Sequence, residues 1–230
     1  MTSPPADRFR YERKYHAEDS SPQELELLLR THPALFREVH PPRRVNNIYL
    51  DTPGLSSFST HVHGAANRAK LRIRWYGDAR GRIGRPLLEV KAKRGAVGSK
   101  HHYPVPPFEF HGSFDADALR RSAADRDDPL RALLASAVPA LFNRYHRRYW
   151  CTADGRYRIT VDTALEFHGI TGHDLGVLGA WHERRLTVIE LKYDVADEGG
   201  AHRVTASLPW RIAKVSKYVY GVERLSGLRG

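Results

Sequence analysis

The sequence predicts an α+β fold built around an antiparallel sheet. Three observations support this class: several short segments alternate apolar and charged residues, Gly-containing turns separate consecutive segments, and a few apolar stretches repeat with helical spacing. The chain has 230 residues, of which 41% are hydrophobic, and this suits one domain with a sizeable core. Fibrous, collagen-like and wholly disordered proteins are therefore excluded.

The first predicted elements are a strand and a helix. Residues 1–7 form a polar, Pro-containing tail that we expect to be disordered. Alternation begins over residues 8–15, which we predict to be a strand. Ser21 then offers an N-cap oxygen and Glu24 follows three residues later, which is the spacing of a capping box. A helix is therefore expected to run to about Thr31.

The later elements follow from the same two patterns. Alternation bounded by Gly, Pro, Asn or Asp predicts strands, and apolar residues three or four apart predict helices. Strands are expected at residues 45–51, 69–76, 86–93, 101–105, 142–151, 157–163 and 186–193. Helices are expected at residues 55–62, within 114–134 as one or two segments, and at about 209–225. With no internal repeat or linker, one domain over residues 8–225 is expected, followed by a tail at 226–230.

The chain is strongly basic, and its charge is localised. It carries 37 Lys and Arg against 26 Asp and Glu, a formal net charge of +11. Residues 68–103 alone hold a net +9 and residues 143–158 a net +4, so the rest of the chain sums to −2. An excess of this kind favours polyanionic partners such as nucleic acid, phosphate chains or acidic membrane.

The charged residues fall on one phase of each predicted strand. Positions two apart in a strand share a face. The charged phases comprise Glu12 and Lys14; Lys70, Arg72 and Arg74; Glu89, Lys91 and Lys93; Arg158, Thr160 and Asp162; and Glu190 and Lys192. A solvent-facing sheet explains any one of these strands. Several strands with helices over their apolar faces would instead close around a charged interior, which requires water, acidic partners and an anionic ligand.

Eight short segments resemble, in order, the VTC domain, the polyphosphate polymerase module of the triphosphate tunnel metalloenzyme superfamily. They are Tyr11-Glu12-Arg13-Lys14-Tyr15, Ile48-Tyr49-Leu50-Asp51-Thr52, Leu71-Arg72-Ile73-Arg74-Trp75-Tyr76-Gly77, Leu88-Glu89-Val90-Lys91, Tyr145-His146-Arg147, Arg158-Ile159-Thr160-Val161-Asp162-Thr163, Ile189-Glu190-Leu191-Lys192 and Ser216-Lys217-Tyr218. The resemblance covers nearly the whole chain.

The resemblance implies an eight-stranded antiparallel tunnel barrel with a charged lumen that holds a tripolyphosphate or polyphosphate. ATP would be the substrate, and its terminal phosphate would pass to the growing chain with the help of a divalent metal, Mg²⁺ or Mn²⁺. The implied phosphate-binding residues are Lys14, Arg72, Arg74, Lys91, Lys100, Tyr145, Arg147, Arg158, Lys214 and Lys217. Of these, Lys14, Arg72, Arg74, Lys91 and Arg158 are the predicted catalytic residues, and Glu190 is the predicted metal ligand.

One departure from the superfamily pattern bears on the reaction. The superfamily opens with Glu-x-Glu-x-Lys, whereas Arg10 stands here in place of the first acid, before Glu12 and Lys14. This favours the VTC branch over the hydrolytic CYTH branch and leaves fewer metal ligands. Two alternatives stay open: a hydrolase of tripolyphosphate or nucleoside triphosphates, and a non-catalytic polyanion-binding module.

Other kinds of site have weaker support. The aromatic residues Trp75, Tyr157 and Tyr193 fall on apolar phases, which argues for core positions rather than nucleic-acid stacking. The single cysteine, Cys151, permits no internal disulfide, so a reducing, cytoplasmic location is expected. No apolar run approaches the roughly 18 residues of a membrane span. Neither a structural zinc site nor a P-loop fits the His and Gly spacings, and no pattern indicates an oligomeric state.

Overall fold

In a computed structural model, residues 10–94, 97–123, 129–170 and 180–227 are described. The strands are β1 (Arg10–Glu18), β2 (Arg37–Asp51), β3 (Asn67–Tyr76), β4 (Gly81–Ile83), β5 (Leu87–Arg94), β6 (Val97–Pro104), β7 (Phe108–Phe110), β8 (Val138–Cys151), β9 (Arg158–Gly169), β10 (Ala180–Glu183) and β11 (Leu186–Asp194). The helices are α1 (Pro22–Thr31), α2 (Ser56–Val62), α3 (Ala116–Ser122), α4 (Pro129–Ala135), α5 (Glu198–Thr205) and α6 (Lys217–Gly227). The tail predicted at residues 1–7 lies outside the described residues.

The strand order of the main sheet is β1-β11-β9-β8-β2-β3-β5-β6, and β10 pairs with β9. The pairings of β1 with β11, β11 with β9, β2 with β3, β3 with β5 and β5 with β6 are all antiparallel. Strands β4 and β7 form a separate two-stranded sheet. The predicted α+β class and the antiparallel sheet with eight strands in its main path are therefore confirmed.

The chain divides into two compact units. The first unit comprises Met1–Arg43, Tyr145–Leu165 and Glu183–Val215, and the second comprises Arg44–Arg144, Glu166–His182 and Ser216–Gly230. Strands β2, β8 and β9 each contribute residues to both units. The prediction of one domain over residues 8–225 stays a prediction.

Each unit has its own apolar core. In the first unit, apolar residues of β1, β9 and β11, such as Tyr15, Ile159 and Ile189, pack with Leu25 and Leu29 of α1. In the second unit, the apolar phases of β3 and β5 pack with α3 and α4; members of this core include Leu71, Ile73, Trp75, Leu88, Leu119 and Leu130. Trp75, Tyr157 and Tyr193 are all buried, so the prediction that they occupy core positions is confirmed.

Helix α1 begins at the predicted capping box. The backbone N–H of Glu24 donates to Ser21 Oγ at 3.2 Å, and the backbone N–H of Ser21 donates to Glu24 Oε2 at 2.7 Å. Two backbone N–H groups that a helix start leaves without intrahelical partners are thus satisfied. The helix ends at Thr31, as predicted.

Several strands extend beyond the predicted bounds, β1, β6 and β8 by three or four residues and β2 and β9 by more. Strand β2 begins at Arg37 rather than at residue 45, and its first half is mostly exposed and contains Pro41 and Pro42, so the alternation of a half-buried strand is missing there. Strand β9 continues past residue 163 to Gly169. Ala164 has a φ of 50°, which interrupts the alternation at that point.

The C-terminal helix prediction was wrong in its first half. Residues 209–216 are not helical, and α6 begins at Lys217. Ile212 instead forms an isolated β-bridge with Tyr15. Helix α5 was not predicted, since it contains Gly199 and Gly200, which are poor helix formers. A Cβ at Gly200 would lie 2.5 Å from the hydroxyl oxygen of Tyr157, so the close packing there requires glycine.

Strands β4 and β7 were also not predicted. Strand β4 lies between the predicted strands at residues 69–76 and 86–93, and both β4 and β7 are only three residues long. Within residues 10–94, 97–123, 129–170 and 180–227, no helix has the length and apolar character needed to cross a bilayer.

Candidate functional site

The second unit carries a charged face on β2, β3, β5 and β6. Arg72 lies opposite Tyr49 of β2 and Glu89 of β5, and Lys91 lies opposite Lys70 of β3 and Lys100 of β6. Directly opposed residues in an antiparallel pair project from the same side of a sheet. The charged face of the second unit is therefore formed by Asn47, Tyr49, Lys70, Arg72, Arg74, Glu89, Lys91, Lys93, Lys100 and His102.

Three of its cations converge on the carboxylate of Glu89. Arg72 Nε donates to Glu89 Oε2 at 2.6 Å, Lys100 Nζ donates to Oε1 at 3.0 Å, and Arg74 Nη1 lies 3.6 Å from Oε1. His102 Nε2 lies 3.3 Å from the same oxygen. Burial raises the pKa of Glu89, but the three cations outweigh this effect and hold its pKa well below the usual range. Glu89 is therefore ionised at neutral pH.

The side chain of Arg74 is held in place by amides. Arg74 Nε donates to Asn47 Oδ1 at 2.9 Å, and Asn47 Nδ2 donates to Asn143 Oδ1 at 3.1 Å. All three residues are buried. Buried polar groups that satisfy one another in this way fix the direction of a guanidinium. Arg74 is thus a preorganised cation.

The start of α6 adds polar groups to the second unit. Ser216 caps the helix by accepting from the backbone N–H of Val219, and Lys70 Nζ donates to its hydroxyl at 2.8 Å. Lys217 is the first residue of α6 and is buried. Tyr218 anchors the helix start, since its hydroxyl donates to Asp51 Oδ2 at 2.5 Å.

Lys70 also affects a nearby histidine. Burial and the charge of Lys70 together lower the pKa of His61 to about 4. His61 is therefore neutral at pH 7, which is the state expected of a histidine beside a cationic surface.

The first unit carries a second charged face on β1, β9 and β11. Lys14 lies opposite Glu190, and Glu190 lies opposite Thr160. Lys192 lies opposite both Glu12 and the exposed Arg158. The charged face of the first unit is formed by Glu12, Lys14, Arg158, Thr160, Asp162, Glu190 and Lys192.

The cations and carboxylates of this face form ion pairs. Lys14 Nζ lies 3.0 Å from Glu12 Oε1 and 3.6 Å from Glu190 Oε1, and it donates to the backbone oxygen of Val215 at 3.2 Å. Lys192 Nζ lies 3.0 Å from Glu190 Oε2. Glu190 is buried, with 8% of its surface exposed. Glu12, Lys14, Glu190 and Lys192 are thus each stabilised by a neighbour of opposite sign.

Arg147 makes a buried ion pair with Asp162. Its Nε and Nη2 donate to the two carboxylate oxygens at 2.6 and 2.7 Å. Burial lowers the pKa of Arg147, but Asp162 more than compensates and raises it well above its usual value. The guanidinium lies 5.3 Å from the ring centre of the buried Tyr145. Arg147 was predicted to bind phosphate. Two nitrogens of its guanidinium are already hydrogen-bonded to the carboxylate of Asp162.

Lys214 lies in an exposed connection rather than in a strand or helix. The neighbouring Ala213 donates its backbone N–H to the oxygen of Lys14 at 2.8 Å. The segment before α6 therefore runs beside β1 within the first unit. The structure thus brings Lys14, Arg158 and Glu190 together on one face, and Arg72, Arg74, Lys91 and Lys100 on another.

The donor set around Glu190 fits a metal that is bound together with phosphate. The described part of the chain contains no group of three or more His, Cys, Asp or Glu residues arranged to hold a metal ion. Glu12 and Glu190, however, both contact Lys14 Nζ and so lie close to one another. Mg²⁺ commonly needs only one or two carboxylates when phosphates supply other oxygens. These two glutamates would hold such an ion.

The resemblance assigned no role to Glu89, Asp162 or Lys70. Alternation had placed each of them on the charged phase of its strand, but it gave no sign of which cation each carboxylate meets. The signal that could have singled out Glu89 is its position as one of only two acids in the strongly basic stretch 68–103.

Comparisons with known proteins identify the family. The VTC domain family matches residues 9–226. A comparison with curated proteins found no significant match.

Solved structures share the fold across nearly the whole chain. A protein from Vibrio parahaemolyticus, provisionally assigned as an adenylate cyclase, has a TM-score of 0.51 and 12% identity, covering 96% of this chain and 98% of that one. HpAC1 from Hippeastrum, provisionally assigned as an adenylyl cyclase and described as having a dominant triphosphatase activity, has a TM-score of 0.50 and 14% identity, with coverages of 93% and 96%. PH1819 from Pyrococcus horikoshii OT3 has a TM-score of 0.52 and 14% identity, with coverages of 93% and 99%.

Identities this low show a common fold and nothing finer. Because the family match extends over nearly all of the sequence, the chain belongs to the VTC domain family, with the triphosphate tunnel fold.

Proposed function

We propose that the protein is a metal-dependent phosphotransferase of the polyphosphate polymerase type, which moves the terminal phosphate of ATP onto a polyphosphate chain. The observation that carries the proposal is the convergence of Arg72, Arg74 and Lys100 on one face, with Lys70 and Lys91 opposite each other beside them. Dense cationic groups of this kind complement the closely spaced charges of a phosphate chain.

Phosphoryl transfer needs positioning and charge stabilisation more than a protein nucleophile. A terminal oxygen of the acceptor polyphosphate attacks the γ-phosphorus of ATP, the bond from that phosphorus to the β–γ bridging oxygen breaks, and ADP leaves. Arg72 and Arg74 offer planar forks that bind two phosphate oxygens at once, while Lys91 and Lys100 act as point charges. These residues orient the phosphates and stabilise the charge that accumulates on their oxygens.

Glu190, with Glu12 beside it, is proposed to bind the divalent metal. When bound, Mg²⁺ or Mn²⁺ would neutralise phosphate charge and help to align the reacting groups. Lys14 contacts both carboxylates and would keep the two glutamates close together when no metal is bound.

Hydrolysis of tripolyphosphate or a nucleoside triphosphate is the second candidate. It is supported by the triphosphatase activity described for HpAC1, which shares the fold. The same cations would bind the substrate, and water would replace the acceptor phosphate. Arg10 in place of the first acid of the opening strand favours the transferase instead.

One experiment separates these activities. Purified protein is incubated with ATP and Mn²⁺ or Mg²⁺, and both ADP and the phosphate chains are measured. The transferase releases ADP and builds a chain that an exopolyphosphatase degrades. Phosphate release from tripolyphosphate without ATP would indicate the hydrolase, and binding without either reaction would indicate a polyanion-binding module.

A pair of matched variants tests whether the activity depends on the charged face of the second unit. Arg72→Ala should lose most of the activity. Arg144→Ala should keep it, because Arg144 pairs with Glu166 and lies outside the charged face. Full activity in Arg72→Ala would contradict the proposed site.

A further inference from the structure

Glu89 is a carboxylate placed among the proposed phosphate-binding cations. Its oxygens lie 2.6 Å from Arg72 Nε, 3.0 Å from Lys100 Nζ and 3.6 Å from Arg74 Nη1. Only 5% of its surface is exposed, and Arg74 is buried as well, so water screens the pair of Glu89 and Arg74 weakly. All three cations are among the residues that bind phosphate in the proposed function.

A carboxylate and a phosphate present the same chemistry to such cations, namely anionic oxygens that accept charge-assisted hydrogen bonds. A phosphate that approaches Arg72 or Lys100 therefore meets donors that Glu89 already engages. A guanidinium has more N–H donors than one carboxylate can occupy, so Arg72 can bind both anions at once. The two anions would then lie close together and repel each other.

We infer that Glu89 determines how tightly the site holds a phosphate chain, because its carboxylate competes with phosphate oxygens for Arg72, Arg74 and Lys100. The inference rests on the proposed function, since it requires these cations to bind phosphate. An enzyme that extends a polyanion must also release its product, and release often limits turnover. A fixed anion among the cations weakens retention of the product.

A purely structural role for Glu89 predicts the opposite change in affinity. If the carboxylate only offset repulsion among the cations, its removal would let Arg72, Arg74 and Lys100 move apart, and phosphate affinity would fall. Competition predicts that affinity rises when the charge is removed. Gln is the appropriate substitution, because it keeps the shape and one hydrogen-bonding oxygen of Glu while removing the charge.

The test measures tripolyphosphate binding to the full-length protein by calorimetry in buffer with EDTA. Glu89→Gln should lower the Kd about fivefold or more and slow dissociation. Glu89→Asp keeps the charge but withdraws it by one methylene, so a smaller decrease in Kd is expected. The Asp variant carries the test if the Gln variant does not fold.

Glu166→Gln is the matched control. Glu166 is also a carboxylate of the second unit that binds an arginine through two hydrogen bonds, but its partner is Arg144. Its substitution should leave the Kd unchanged, whereas a fall equal to that of Glu89→Gln would overturn the inference, since loss of any negative charge would then explain the result.

Arg72→Ala separates failure of the inference from failure of the proposed function. If wild type binds tripolyphosphate, Arg72→Ala does not, and the folded Glu89 variants bind no more tightly than wild type, the inference is overturned and the proposed function stands. If wild type fails to bind tripolyphosphate, or Arg72→Ala binds it normally, both are overturned.

Discussion

At the scale of single residues, both charged faces contain ion pairs between cations and carboxylates. Lys14 contacts Glu12 and Glu190, and Arg72 contacts Glu89. Sequence reasoning could assign each of these residues to the charged face of its own strand, because the two-residue period of a strand is fixed by the backbone. It could not assign the pairs, because pairing depends on the register between strands that are distant in sequence.

Glu190 has two possible roles that one substitution distinguishes. If it binds the metal, Glu190→Gln should abolish metal-dependent turnover and spare metal-free polyphosphate affinity. If it only balances Lys14 and Lys192, the variant should lose stability and keep its activity. We expect loss of turnover, measured as ADP release across a Mn²⁺ titration with the melting temperature recorded alongside. Near-normal metal-dependent turnover would rule out the ligand role.

The comparison of Glu190→Gln with wild type needs a control variant that loses a different carboxylate of the first unit. Glu38→Gln serves this purpose, since Glu38 pairs with Arg148 and is not part of the charged face. Its ADP release should match that of wild type at every Mn²⁺ concentration.

The ion pair of Arg147 and Asp162 is predicted to matter most for stability. Asp162→Asn removes the charge that compensates a buried guanidinium, and such a loss costs about 3–5 kcal/mol. Urea unfolding of the variant and wild type measures the difference. The more exposed pair of Arg144 and Glu166 has the same two-bond geometry, and Glu166→Gln should cost about 1 kcal/mol or less. Equal losses in the two variants would contradict the importance assigned to burial.

At the scale of elements, local sequence patterns predicted an element correctly where residues close in sequence supply its stabilising contacts. The capping box of α1 needs only Ser21 and Glu24, and it was predicted correctly. Helix α5 and the first half of β2 depend on tertiary contacts that leave no local pattern. Tyr157, for example, fills the space beside Gly200, and exposed residues of β2 show no alternation.

Helix α1 is linked to β8 by a carboxylate whose titration can be measured. Hydrogen bonds from Arg148 and Arg30 lower the pKa of Glu26 from 4.5 to about 2. Because the pKa is lower in the folded state, the contribution of Glu26 to stability is complete above about pH 5 and is lost as the pH falls towards 2. Glu26→Gln should therefore narrow the difference between the urea midpoints measured at pH 7 and pH 3.

The pH experiment also has a control. Glu223 is an exposed carboxylate on α6, and Glu223→Gln should leave the difference between the two midpoints as in wild type. If Glu26→Gln behaves in the same way, its ion pairs contribute nothing measurable to folding.

At the scale of the whole molecule, each unit combines its own core with its own charged face. The localised charge in residues 68–103 predicted the cationic face of the second unit, and the hydrophobic phases predicted its core. Composition alone could not choose between nucleic acid and phosphate chains, because both are polyanions. The burial of Trp75, Tyr157 and Tyr193 in the two cores is the observation that favours phosphate chains.

Polyphosphate should be preferred over single-stranded nucleic acid of equal charge. Proteins that bind single strands usually add base stacking on aromatic side chains to their contacts with phosphates, whereas Trp75, Tyr157 and Tyr193 are buried in the cores. Both ligands should bind less tightly as salt rises, because both release counterions.

Fluorescence anisotropy of a labelled polyphosphate, with an unlabelled oligothymidylate of matched charge as competitor, measures the preference. We expect the oligonucleotide to displace polyphosphate only at roughly tenfold or greater excess, because its phosphates are more widely spaced than those of polyphosphate and stacking on the buried rings cannot compensate. Displacement at equal concentrations would favour a nucleic-acid-binding role over the proposed enzyme.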